Sequence, residues 1–322
     1  MGLEMGMTTL ITGADGFVGS HLTHYLSQRG YAIVGAVRTA KSLPHAKASV
    51  AMGAIDGTTD WGAALDGVEA VVHSAARVHV LNDPDNRPLE AFRRVNVDAT
   101  VQLARQAAAR GVKRFVFIST IGVVGSISDV PLCEINVPKP QTAYARSKWE
   151  AEQALHQIAQ DTGLPLVILR PPLVYGPGVK ANFLKLMQMA IRGVPLPLRL
   201  VDNSRDFLSV DNLCNAVALC LEHEAAIGQT YHLCDGHPVS TAQMVTLISE
   251  AAGHKPQLWP VPQLLLFLGS VLLRKSAMYN SVCRSLRVDD TKLRTQLGWQ
   301  SPQTLEDGIR QVVQWYQEKV TP

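Results

Sequence analysis

Apolar residues fall in short unbroken runs through the first half of the chain, and each run leads into a stretch of helical period. TTLITG (8–13) reads as a buried strand, and residues 16–29 as the helix after it. YAIVGAV (31–37), VAMGAI (50–55) and EAVVHSA (69–75) read as three more strands. Residues 89–110 have helical spacing and stop at Gly111, and RFVFIS (114–119) is again strand-like. Residues 143–161 form the next predicted helix, closed by Gly163, before LPLVILRP (164–171). Strands apolar on both faces, alternating with helices, predict an α/β fold with a doubly wound parallel sheet covered on both sides.

After Pro171 the rhythm changes. Prolines and glycines crowd residues 171–197, and the rest reads as helices around short strands, at 211–224, 240–252, 263–274, 291–297 and 304–319. The expected division is 1–173 for the sheet-forming domain and 174–322 for a smaller lobe partly interleaved with it.

At 322 residues the chain is long enough for a substantial core. With 47% hydrophobic and 18% charged residues it is globular in composition. A net charge of +3, spread along the chain, argues against nucleic acid as a partner. The five cysteines form no CxxC pair and no zinc spacing, so free thiols in a reducing compartment, and no metal, are expected. MGLEMGM at the start has no apolar signal core. LLLFLGSVLL (264–273) is about half the length that spans a bilayer, so no stable membrane insertion is expected. It reads first as a buried helix, and second as a foot resting on a membrane surface.

Gly13, Gly16 and Gly19 form GxxGxxG between the first strand and first helix. Glycines there allow a tight turn and close backbone approach, and the helix start offers free N–H groups to a pyrophosphate. Three glycines in a turn can also be only a turn; the setting in the first βα unit favours a dinucleotide. The second strand ends Ala36-Val37-Arg38, without the acid that would bind the ribose 2′-hydroxyl of NAD. Arg38, with Lys41 close behind, can instead meet a 2′-phosphate, so NADP(H) is preferred and NAD(H) remains open. Asp56, after the third strand, is placed to cap the adenine amino group or to be a loop aspartate only.

Tyr144 and Lys148 lie four apart near a helix start, on one face. An ammonium beside a phenol is expected to lower its pKa from about 10 and make it a general acid/base. Ser119-Thr120 precede them at the carboxyl end of a central strand, where ligands bind in such sheets. The Thr120 hydroxyl can bond a reacting oxygen or cap its own backbone.

TGADGFVGSHL (12–22), HSAARVH (73–79), VNVDAT (95–100), STIGVVG (119–125), YARSK (144–148), RPPLVYGPG (170–178) and RDFLSVDNL (205–213), in this order, resemble the extended short-chain dehydrogenase/reductases. The resemblance covers nearly the whole chain. It implies a Rossmann-like domain, a lobe binding a nucleotide sugar, and Thr120, Tyr144 and Lys148 as the catalytic trio. It places Phe17, Val18 and Ala75 against the cofactor, Asn182 and Arg205 at a nucleotide diphosphate, and Asn96 in a structural role. It also implies a cytoplasmic homodimer paired through the helices at 89–110 and 143–161.

Thr120 is followed by Ile121 and Gly122, not by the acidic pair that hexose 4,6-dehydratases carry there, which speaks against dehydration. LRPPLVYGPGVKANFLKLMQMAIRGVPLPL and LRVDDTKLRTQLGWQSPQTLEDGI resemble bacterial surface-polysaccharide enzymes. Those reduce UDP-4-keto-6-deoxy-N-acetylglucosamine to UDP-N-acetylquinovosamine or UDP-N-acetylfucosamine. NADPH-dependent 4-ketoreduction of such a UDP-sugar is the expected activity, with an NAD-dependent UDP-hexose 4-epimerase as the alternative. A redox sensor would have little reason to keep the trio, and a reductase of apolar ketones would need neither Asn182 nor Arg205.

Overall fold

The computed structural model describes residues 6–78 and 88–320. His79 of the HSAARVH motif and residues 1–5 of the amino-terminal reading lie outside them. The chain runs β1 (Gly6–Thr12), α1 (Phe17–Ser27), β2 (Tyr31–Val37), β3 (Ala48–Ala51), β4 (Ala70–His73) and α2 (Pro88–Arg93). A π-helical turn (Arg94–Asp98) joins α2 to α3 (Ala99–Ala109), and β5 (Arg114–Ile118) leads into a 3-10 turn (Ile121–Val123). Then come β6 (Ser128–Leu132), α4 (Ala143–Thr162), β7 (Leu166–Arg170), β8 (Leu173–Tyr175), α5 (Ala181–Ile191), β9 (Phe207–Ser209) and α6 (Val210–Glu222). The carboxyl-terminal part adds β10 (Thr230–His232), α7 (Thr241–Ala251), α8 (Gln263–Leu272), α9 (Ser276–Cys283), β11 (Leu286–Val288), α10 (Thr291–Leu297) and α11 (Leu305–Val320).

Seven parallel strands make the main sheet in the order β10-β7-β5-β4-β1-β2-β3. Every residue of β4, β5 and β7 is buried, as strands covered on both faces must be. One apolar core joins α1 and α6 to one face, and a second joins α3 and α4 to the other. A third core, from Tyr175 and Phe183 to Val313, builds the second lobe. The chain re-enters the main sheet after leaving it: α6 packs on α1, and β10 pairs with β7.

Strand order reverses between β1 and β4, so their carboxyl ends open a crevice. Some elements depart from the sequence reading. The third strand stops at Ala51, and residues 89–110 break into α2, the π turn and α3. Helix α5 fills the proline- and glycine-rich segment that carried no helix reading, and α9 was likewise unread.

The larger departure is α8. Its burial was expected, yet Leu272 is 84% exposed and Leu264 67%, whereas Ser270 is buried. Only Leu266 of its leucines packs against the lobe core. The run is apolar all round, so sequence alone gave no way to choose its inward face; Ser270 is the residue of the helix that is buried. Among the described residues, no helix is long and apolar enough to cross a membrane.

Candidate active site

Gly13 turns the chain out of β1 with φ +65°. A Cβ there would meet the Cα of Ala75 at 3.0 Å, so the loops after β1 and β4 touch at the mouth of the crevice. Gly19 is tighter still: its Cβ would lie 2.1 Å from the Gly13 carbonyl oxygen. Gly16 caps α1 without a side chain, and its N–H donates to the Gly13 carbonyl at 2.8 Å. The first-turn N–H groups, at Phe17, Val18 and Gly19, have no intrahelical partner and face an open loop. Side-chain-free backbone and a bare helix start suit a dinucleotide pyrophosphate. Phe17, the first residue of α1, reaches the other lobe, since a Cβ on Gly178 would meet its ring at 3.6 Å.

Arg38 stands exposed one residue beyond β2. Lys41 pairs with Asp15 of the glycine loop at 2.7 Å. That bond holds the Asp15 carboxyl below the usual range, with a smaller contribution from the Arg38 charge. Lys41 is therefore engaged, and among the described residues Arg38 has no carboxylate partner. Asp56 bonds the Thr58 backbone N–H and hydroxyl at 2.8 and 2.7 Å, which lowers its pKa. It closes its own loop.

Thr120 follows β5 and caps the 3-10 turn, its Oγ1 accepting from the Gly122 N–H at 3.2 Å. Both sequence readings of this hydroxyl meet here, because the same oxygen still has its own proton to donate. Gly122 lies against α4: a Cβ on it would sit 3.4 Å from Thr120 Oγ1 and 3.5 Å from Ala145 Cβ. The threonine is thereby brought to the first turn of α4, which is capped by Thr142 through a bond from Ala145 N–H.

That turn carries Tyr144, whose ring meets Phe92 edge-on at 6.2 Å. One turn on, Lys148 is 1% exposed and its ammonium lies 4.1 Å from the centroid of the Phe117 ring. Burial dominates both groups: the Tyr144 phenol is pushed up to about 12, and Lys148 down to about 7. The expected lowering of the tyrosine is thus overturned in the free protein. A desolvated ammonium that gives up its proton near neutrality does not hold a phenolate. At neutral pH the Tyr144 phenol keeps its proton.

Glu152, missed in the sequence, continues the stripe Tyr144–Lys148 by one more turn. It is fully buried, pairs with Arg170 at 2.5 Å and accepts a bond from Ser119. Its charge also works against the fall of Lys148. The signal was the i, i+4, i+8 spacing. His73, buried at the end of β4, bridges Thr12 and Thr100 at 2.7 and 2.8 Å, and desolvation drives its pKa to about 3. Asn96, in the π turn, takes the Arg77 N–H at 2.7 Å and donates to Ser147 at 3.0 Å, pinning the loop after β4 to α4.

The two residues expected at a nucleotide diphosphate are carried by other elements. Asn182 is exposed in the first turn of α5. Arg205 is buried beside β11; its Nη1 donates to the Arg284 carbonyl at 2.7 Å, and burial lowers its pKa. Among the described residues it faces no carboxylate. Nearby, Asp235 collects the Tyr175 hydroxyl, the Ser209 N–H and the Asn212 amide, and desolvation still raises it to about 6. Among the described residues no group of three or more His, Cys, Asp or Glu is arranged to hold a metal.

Comparison with known proteins agrees with this fold. The model of the NAD-dependent epimerase/dehydratase family matches residues 9–234. A UDP-glucose 4-epimerase of Vibrio cholerae is 38% identical, over 97% of this chain and 96% of its own. A GDP-6-deoxy-D-mannose reductase of Pseudomonas aeruginosa is 26% identical, over 98% and 99%. The crystal structure of UDP-glucuronic acid 4-epimerase from Bacillus cereus in complex with NAD shares the fold, with a TM-score of 0.78 at 21% identity over 97% and 99%.

Proposed function

The chain belongs to the NAD-dependent epimerase/dehydratase family, an NAD(P)-dependent enzyme of the extended short-chain dehydrogenase/reductase type, and from that premise we propose that it reduces the 4-keto group of a UDP-4-keto-6-deoxy-N-acetylhexosamine with NADPH. Arg38 carries this reading. It is a cation without a carboxylate partner where an NAD enzyme would have an acid, and it suits a 2′-phosphate. A reductase that exchanges its cofactor each turnover gains from that preference.

Bound NADPH supplies the hydride for C4 of the sugar. Tyr144, held protonated at neutral pH by burial, donates its proton to the oxygen at C4. Thr120 spends one lone pair on the Gly122 N–H and turns its own O–H to the same oxygen. Lys148, between the Phe117 ring and the tyrosine's turn, positions the phenol and the nicotinamide ribose. The buried guanidinium of Arg205, held by the Arg284 carbonyl, and the exposed amide of Asn182 serve the UDP diphosphate. The enzyme works as a cytoplasmic homodimer whose protomers pair through α3 and α4.

The likeness to the Vibrio cholerae protein favours a second reading, a UDP-hexose 4-epimerase that keeps its NAD. Three measurements separate them. With a freshly generated UDP-4-keto sugar, NADPH absorbance should fall stoichiometrically. Arg38→Ala should weaken NADPH binding by roughly tenfold or more and leave NADH binding nearly unchanged, since one charge-assisted bond is lost. Conversion of UDP-N-acetylglucosamine to its galacto epimer with catalytic NAD would replace the reductase by the epimerase.

A further inference from the structure

Helix α8 is built the wrong way round for a helix on a water-facing surface. Such helices turn their leucines to the core and their small polar residues to solvent. Here Ser270 is buried, while Leu264, Leu265, Leu268, Leu272 and Leu273 are all exposed by more than half. Trp259, 60% exposed, precedes the helix. Leu200, from a distant segment, joins the patch: the Gln263 side chain donates to its carbonyl, and the Arg199 N–H donates to the carbonyl of Trp259. A contiguous apolar face of this kind marks a contact site.

The charge around it says what the contact is. Between Glu250 and Asp289 the chain has no Asp or Glu, but it has Lys255, Arg274, Lys275, Arg284 and Arg287. Between Asp161 and Asp202 there is again no acid, and Arg199 lies there beside Leu200. The two acid-free segments meet at the bridge between Leu196 and Leu258. An apolar face on segments rich in cations, with the exposed Asp202 as its nearest acid in sequence and a tryptophan at its margin, complements a bilayer surface carrying anionic headgroups. A second copy would set like charges against each other. We propose that α8, with Trp259 and Leu200, docks the enzyme on an anionic membrane surface. The leucines enter the headgroup–acyl boundary, and Arg199, Arg274 and Lys275 meet lipid phosphates. The face lies outside the catalytic cluster and does not depend on the substrate assigned to it.

Flotation of the whole protein with lipid vesicles tests this. Phosphatidylcholine vesicles containing about a third phosphatidylglycerol should carry it upward, and neutral phosphatidylcholine vesicles should carry at least about tenfold less. High salt should weaken the binding, because the phosphate contacts are screened. Leu264→Glu/Leu272→Glu changes exposed side chains only and should abolish flotation with the circular dichroism spectrum kept. Arg274→Ala/Lys275→Ala, which leaves the apolar face intact, should reduce binding to anionic vesicles alone. Failure of the wild type to float, or equal flotation of the double glutamate variant, would overturn the proposal. So would a wild-type oligomer that does not float and that the glutamates dissociate: the face would then belong to a second copy.

Discussion

Helix α4 turns Ser147, Lys148 and Glu152 into the protein, whereas helix α8 turns a row of leucines out of it and keeps Ser270 in. Each reverses the sorting that hydrophobicity alone would give, and the reversals differ in what sustains them. The buried polar side chains of α4 have named partners: Glu152 has Arg170 and Ser119, and Ser147 has Asn96. The exposed leucines of α8 have no such partners in the fold. The buried groups are held by partners inside the fold, whereas the exposed leucines leave an apolar face uncovered.

The comparison breaks first, and furthest, at Tyr144. Tyr144→Phe keeps the ring against Phe92 and removes the proton donor, so turnover should fall by ~10²–10⁴. Cofactor affinity, read by fluorescence titration, should stay near normal because Lys148 and the glycine loop remain. Retention of more than about a tenth of turnover where chemistry limits the rate would end the general-acid role. Glu152→Ala comes next. It leaves the Arg170 guanidinium buried and unpaired, at a cost of about 3 kcal/mol, measurable by chemical denaturation. A cost within that of an exposed substitution would mean that the pair does not organise α4.

Lys148→Met should act in the opposite direction on stability. Removing a desolvated ammonium should raise the melting temperature of the cofactor-free protein while abolishing turnover. The sign follows from a folded pKa near 7 against 10.5 unfolded. Across that window the folded state holds fewer protons, so wild-type stability rises with pH. The advantage of methionine should therefore be largest below pH 7 and shrink toward 10.5. An advantage that grew with pH would refute the assignment. The smallest effect belongs to α8: Leu268→Ser should alter folding stability by no more than about 0.5 kcal/mol. A loss of several kcal/mol would place that leucine in the core and remove the contrast.

The strands and flanking helices of the cofactor half were legible because parallel strands buried on both faces are unbroken apolar runs. The glycine loop and the Tyr144–Lys148 pair were legible because short-range spacing fixes them, and Thr120 was read from its place after a central strand and from the family resemblance. Three things were not. The break of residues 89–110 into a π turn depends on Asn96 reaching both Arg77 and Ser147, contacts made across the fold. The direction of the Tyr144 shift depends on burial, and sequence spacing carries only the charge of Lys148, not its loss of water. The outward face of α8 could not be read from a run without polar positions. Helix α5 was hidden by the prolines and glycines on either side of it, although ANFLKLMQMAI itself has helical spacing.

The late entry of β10 has a consequence for how the molecule is made. Strand β7 ends at Arg170, but the strand that covers its open edge begins only at Thr230, and the helix that shields α1 spans Val210–Glu222. A ribosome therefore releases a nearly complete sheet with one bare hydrogen-bonding edge and one uncovered apolar flank. It must lengthen the chain by dozens of residues before either is closed. Bare strand edges recruit other chains, and partly covered intermediates of this size aggregate. The cofactor half thus takes a strand and a covering helix from beyond residue 173, and its last piece arrives after β8 and β9 have been synthesised. A cut after Pro171 leaves the nascent edge permanently open.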